Sequence, residues 1–276
     1  MTSVSNTNAL QNVHGTIALA GAGKMGGAML TGWLAQGLDA KRVVVIEPHP
    51  SAEISALKGI RLNPSAKEAG EVDTLVVAVK PQSFREAGAS LKPFVGPSTL
   101  VVSIMAGTTI AVLETVCGGS VVRAMPNTPA AIGRGITVAV AAKKVSATQR
   151  GIADALLRAT GSVEWVDKES LMDAVTAVSG SGPAYIFLLA EELARAGVEA
   201  GLPPELATKL ARETVAGSGE LLHRSELPSA TLRQNVTSPG GTTAAALEVL
   251  MGPDSMQSLL TRAVAAATKR SKELAK

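Results

Sequence analysis

Aromatic side chains are almost missing from this sequence: three Phe, two Trp and one Tyr among 276 residues. A core without them has to be packed with Ala, Val and Leu, and helices rich in Ala must approach one another closely. The single cysteine, Cys117, excludes an internal disulfide, and three isolated histidines offer no metal-ligand spacing. No apolar run reaches the roughly 18 residues that a membrane span needs. The N-terminal residues lack the basic-then-apolar pattern of a signal peptide. Charge of one sign is scarce as well: the formal net charge is +3 and the cations are scattered, which speaks against a nucleic-acid interface. These absences predict a soluble, cytoplasmic protein with no metal, no nucleic acid and no membrane among its partners.

What the chain does have is 46% apolar residues, enough over this length for two domains. The first is organised around TIALAGAGKMGGAML, residues 16–30. Its opening apolar run reads as a buried strand. Gly21 then permits the tight turn, Gly23 lets backbone approach a pyrophosphate, and Gly26 lets the helix beginning near Lys24 pack on the strand. That helix start presents free N–H groups to an anion. A Gly-x-Gly-x-x-Gly pattern is weak alone, but this one follows a strand, opens a helix and precedes a second strand at 42–46, so it predicts dinucleotide binding. Further strands are expected at 74–79, 99–104, 120–124, 135–141 and 162–166, with helices near 24–36, 51–58, 82–90, 109–115 and 146–158. Near-continuous apolar strands separated by helices make an α/β parallel sheet covered on both faces, here residues 15–167 after a tail, 1–14, expected to be disordered. Ligands of such sheets collect at the carboxyl ends of the strands.

Beyond residue 168 the pattern is helical only, with segments near 170–178, 183–200, 204–223, 228–234, 241–250 and 253–274. Pro183, Pro204 and Pro253 each suit a first helical turn. The stretch Ala184–Ala190 is apolar all round, so it is either a subunit interface or the centre of its own domain. Two Gly-rich interruptions, SGSGP at 179–183 and TSPGGTT at 237–243, each lead into a helix. The second can hold a carboxylate on the N–H groups of Gly240, Gly241, Thr242 and Thr243; the plainer reading makes both stretches ordinary caps. No Lys, His, Asp or Glu lies in TSPGGTT, which favours hydride transfer to an already cationic acceptor over alcohol oxidation.

GAGKMG at 21–26, AVKPQ at 78–82, MAGTT at 105–109, RAMPNTP at 123–129, SGSGPAY at 179–185 and VTSPGGTT at 236–243 resemble, in order and spacing, the motifs of pyrroline-5-carboxylate reductase. The resemblance runs from about residue 16 to the C-terminus. It implies reduction of 1-pyrroline-5-carboxylate to L-proline by NADPH or NADH, the last step of proline biosynthesis. It also implies a Rossmann-type domain followed by an all-α C-terminal domain that interlocks two subunits, with dimers assembling further. Carried over by position, it places the pyrophosphate on Gly21, Gly23, Lys24, Met25 and Gly26, and the adenosine side on Lys80 and Pro81. The ribose and nicotinamide end falls on Met105, Ala106, Gly107 and Asn127. Ser238, Gly240, Gly241, Thr242 and Thr243 become the substrate-carboxylate site, with the Thr243 hydroxyl on the ring nitrogen as the catalytic contact. Plainer roles stand beside these: Lys80 as a solvated charge, Asn127 as a satisfier of local backbone, Ser181 as a cap, Tyr185 as packing.

Glu47 departs from the family pattern, where a small hydroxyl residue is common. An acid at the end of the second strand accepts both ribose hydroxyls of NADH and repels a 2′-phosphate, unless it points into solvent. Two rival functions are a different imine or oxo-acid reductase, which would need a catalytic Lys or Asp that the motif loops lack, and a non-catalytic nicotinamide-binding regulator, which has no use for TSPGGTT.

Overall fold

The computed structural model describes residues 9–253 and 255–274. Contacts divide the chain into two compact units, one running to Gly180 and taking in Thr268 onward, the other Ser181–Ala267.

The first unit is built on an eight-stranded sheet of order β3-β2-β1-β4-β5-β6-β7-β8. Its strands are β1 (Ile17–Ala20), β2 (Val43–Ile46), β3 (Arg61–Leu62), β4 (Thr74–Val77), β5 (Leu100–Ser103), β6 (Ser120–Met125), β7 (Gly135–Ala141) and β8 (Gly161–Trp165). Period-two alternation distributes each strand between two cores. Ile17, Leu19, Val43, Val45, Val76, Leu100, Val102 and Val122 face one side, where Met29, Leu30 and Trp33 of α1 (Lys24–Ala35) and Leu156 and Leu157 of α6 (Ala147–Arg158) cover them. Ala18, Ala20, Val44, Leu75, Val77, Val101 and Val121 face the other, under Phe84 of α4 (Phe84–Leu91) and Leu113 of α5 (Ile110–Val116). Trp33, fully buried, donates its indole N–H to the Leu156 carbonyl at 2.8 Å, tying α1 to α6.

The sheet is parallel except between β6 and β7, which pair antiparallel. It is mostly parallel as expected; at this one pairing only a short 3-10 turn, Thr128–Ile132, joins the two strands, and a parallel return needs a long crossover. Strand order reverses between β1 and β4, placing a crevice at their carboxyl ends.

Several expectations change. Residues 1–8 of the tail lie outside the described residues, but 9–14 are ordered: Leu10 is fully buried and the Arg42 guanidinium donates to the Val13 carbonyl at 2.9 Å. The helix anticipated at 51–58 closes after four residues as α2 (Ala52–Ser55), and β3 with α3 (Ala66–Ala69) went unpredicted because each is too short to show a period. The segment anticipated at 170–178 is a 3-10 turn, then α7 (Met172–Val175), then a π-helical turn Thr176–Gly180.

The second unit holds α8 (Gly182–Glu199), α9 (Pro204–Arg224), α10 (Ser229–Asn235), α11 (Thr242–Leu250) and most of α12 (Met256–Leu274). Pro253 precedes α12 instead of opening it. α8 and α9 form a hairpin that closes where Gly197 meets Ala207; a Cβ on Gly197 would stand 3.2 Å from that of Ala207. Ala207 and Ala211 are the buried residues among those described in this unit. Meanwhile Ile186, Phe187, Leu188 and Leu189 on α8 are exposed, Phe187 at 67%. The apolar start of α8 is therefore not the centre of its own domain.

Candidate active site

In the first unit the Gly loop has the geometry of a pyrophosphate cradle. Gly21 has φ 91 and a Cβ there would lie 2.7 Å from the Ala78 carbonyl oxygen; at Gly26 a Cβ would collide with the Gly21 carbonyl. Both glycines are thus demanded by the protein itself. Gly23 is different: it is exposed, and a Cβ there would meet nothing within 4 Å. Nothing within the protein itself demands glycine there. No side chain caps α1, which leaves the first-turn N–H groups after Gly23 without an intrahelical partner, and Lys24 stands exposed beside them. These residues fit a dinucleotide.

Glu47 is half-buried at the end of β2 and does not point into solvent. One carboxylate oxygen accepts the Ala22 N–H of the Gly loop at 2.8 Å, the other the His49 N–H at 3.0 Å. Lys80 is exposed at the start of the 3-10 turn containing Pro81, which is exposed too. Met105 is buried with its N–H on the Ser103 hydroxyl at 3.3 Å, Ala106 is half-buried, and Gly107, with φ 72, lies under Leu274, whose carbonyl a Cβ would approach to 3.4 Å. Asn127 spends its side-chain oxygen on the Ile136 N–H at 3.0 Å, so its amide NH2 is what it can still offer a ligand.

The supports of these loops were not foreseen. Glu169 accepts both the Ile110 N–H at 2.8 Å and the buried Arg123 guanidinium at 2.9 Å, joining the start of α5, just past MAGTT, to β6, just before the Pro-rich turn. Ser271 donates to Asp173 at 2.7 Å, seating the end of α12 near the same loop. The Ser179 hydroxyl, in the π turn, is buried without a partner. Partners so far apart in sequence leave no local pattern. Cys117 is buried and its thiol is pushed up to about 11 by that burial, which disfavours the thiolate near neutral pH.

In the second unit, the TSPGGTT turn closes with the Gly241 N–H on the Ser238 carbonyl at 3.0 Å, and Gly240 takes φ 70 with open space around a would-be Cβ. The Gly241 N–H, expected to face a carboxylate, is thereby engaged. Those of Gly240, Thr242 and Thr243 remain free at the uncapped start of α11, with the hydroxyls of Ser238, Thr242 and Thr243 also unengaged. A separate apolar groove of ≈ 970 Å³ is lined by Leu247, Leu250, Met251, Met256, Leu260 and Val264.

Two family models match. Residues 16–107 match that described as NADP oxidoreductase, coenzyme F420-dependent, and 169–274 that described as pyrroline-5-carboxylate reductase dimerisation. A curated pyrroline-5-carboxylate reductase from Pseudomonas aeruginosa is 41% identical over 264 residues, covering 94% of this chain and 96% of its own. The chain belongs to the pyrroline-5-carboxylate reductase family.

Solved structures in the family agree. The reductase of Coxiella burnetii superposes with a TM-score of 0.87 at 35% identity, over 95% of this chain and 99% of that one. That of Plasmodium falciparum, solved with NADP bound, gives 0.80 at 32%, over 95% and 99%. As a member, the protein is an oxidoreductase using a nicotinamide cofactor, and its helical unit is a homo-oligomerisation module.

Proposed function

We propose that this protein reduces 1-pyrroline-5-carboxylate to L-proline, consuming one reduced nicotinamide cofactor and one proton per turnover. The observation that carries the reading is the Ser238–Thr243 loop, where three free N–H groups and three free hydroxyls gather at a helix start without a titratable side chain. Such a nest suits a carboxylate, and it suits a reaction in which the acceptor already bears positive charge. In the protonated imine that charge sits on the ring nitrogen, and the Thr243 hydroxyl accepts its N–H. Gly240, Thr242 and Thr243 donate to the carboxylate together with the Ser238 hydroxyl, while Gly241 shapes the turn. When bound, the cofactor supplies the hydride. The chain's own contribution is positioning: the carboxylate grip fixes the ring and Thr243 fixes its nitrogen.

For the cofactor, the N–H groups of Gly23, Lys24 and Met25 hold the pyrophosphate, with Gly21 and Gly26 keeping the turn tight. Lys80 and Pro81 border the adenosine, and Met105, Ala106, Gly107 and the Asn127 amide border the nicotinamide end. Glu47 accepts the ribose hydroxyls, so NADH serves at least as well as the family pattern leads one to expect. The working form is a dimer through the C-terminal helices, assembling further, in the cytoplasm.

The test is NADH and NADPH oxidation with pyrroline-5-carboxylate, with proline identified as product. No proline formed would end the proposal. A preference for NADPH of about a hundredfold, some 2.7 kcal/mol, would remove Glu47 from it.

A further inference from the structure

Asn63 is a residue that none of the motifs contains. It follows the edge strand β3 and, with φ 50, is the one non-glycine residue with positive φ among those described. Asn tolerates that conformation better than most side chains, yet it still costs free energy and asks for a reason. The reason is on the neighbouring strand. The Asn63 N–H donates to the Val45 carbonyl at 2.7 Å. Its side-chain oxygen accepts the Glu47 N–H, and its side-chain NH2 donates to the Glu47 carbonyl, both at 2.8 Å. The pairing of Leu62 with Val45 is thus continued by one amide side chain acting as if it were another strand residue.

The residue so clamped is Glu47, whose carboxylate is itself seated on Ala22 and His49. We propose that Asn63 sets the choice between NADH and NADPH by holding Glu47 in place, as a positioning residue that does not touch the cofactor. This rests on the reading of Glu47 given above. A carboxylate discriminates between a ribose diol and a 2′-phosphate only if it cannot swing aside. With its main chain gripped at both N–H and C=O, Glu47 keeps its side chain over the Gly loop. Released, it can rotate into solvent, leaving the ribose hydroxyls without an acceptor and a 2′-phosphate without its nearest repulsion.

Equilibrium Kd values for NADH and NADPH, measured by calorimetry on the ligand-free protein, test this in wild type, Glu47→Ser, Asn63→Gly and the double variant. Glycine accepts the positive φ, so Asn63→Gly removes the clamp without straining the backbone. The expected result is a fall in the NADH-over-NADPH preference of about tenfold for Glu47→Ser and about fivefold for Asn63→Gly, with less than about twofold from Asn63→Gly once Glu47 is Ser. Asn63→Asp, which keeps the acceptor for the Glu47 N–H but not the donor, should fall between wild type and Asn63→Gly, and it serves if the glycine variant does not fold. A changed preference in Glu47→Ser with an unchanged one in Asn63→Gly would make Asn63 a mere fastener of the edge strand. Equal effects of Asn63→Gly in both backgrounds would mean direct contact with the cofactor; either result overturns the inference. An unchanged preference in Glu47→Ser would overturn the reading of Glu47, and the inference with it.

Discussion

The two units solve the same problem, a chain nearly without aromatics, in opposite ways. The sheet unit has two faces to cover and covers both from within its own chain, so that β1, β2, β4, β5 and β6 are almost wholly buried. Among its described residues the helical unit buries Ala207 and Ala211 and leaves Leu, Ile, Phe and Val of α8 outside. One unit therefore carries its own core, whereas the other, matched by a dimerisation family model, keeps much of its apolar surface outside. The contrast follows from size and shape: a sheet can be sandwiched by local helices, but a few helices with so little shared core depend on association.

The largest test of that contrast is a charge on the exposed apolar face. Phe187→Asp should abolish dimerisation in sedimentation equilibrium at micromolar protein and reduce proline formation by about a hundredfold or more, since the lost burial exceeds about 2 kcal/mol per copy. The sheet unit should keep its far-UV signature and its cofactor affinity. If Phe187→Asp stayed dimeric, the helical unit would be more self-sufficient than its exposure indicates. Next comes overpacking in the unit that has a core: Gly26→Val drives a side chain into the Gly21 carbonyl and should cost about 1–3 kcal/mol of stability while weakening dinucleotide binding, with dimerisation intact. Thr243→Ala removes one hydroxyl without touching a core, so turnover should fall about tenfold with the cofactor Kd unchanged within about twofold. Full turnover in that variant would displace Thr243 from the reaction.

The smallest effect is in pH dependence. Cys117 has a thiol raised from 9.0 to about 11 by burial, so its contribution to stability is complete below pH 9 and lost as pH rises through about 11. Correspondingly, the native thiol should resist iodoacetamide at pH 8 and react once the sheet unit unfolds. Rapid labelling of the folded protein would show that this core opens more readily than its packing suggests.

The strong elements were legible because their signals are local. Apolar β-branched runs marked β1, β2, β4, β5 and β6 within a residue or two, and the Gly spacing marked the turn between β1 and α1. The long helices α8 and α9 were equally plain, since Pro and Gly punctuate them. What escaped was short or remote. β3 has two residues, too few to alternate. The role of Glu169 depends on Ile110 and Arg123, dozens of positions away.

By itself, the order of residues determined which segments become strands and helices, and where glycine must stand, because those outcomes depend on neighbours within a few positions. Tertiary structure alone decided that Leu10 belongs to the core, that β7 runs against β6, that the Gly241 N–H is already spent on Ser238, and that Asn63 grips Glu47. Each of these is a competition for a limited number of partners or a limited space, and such a competition is settled only when distant parts of the chain have been brought together.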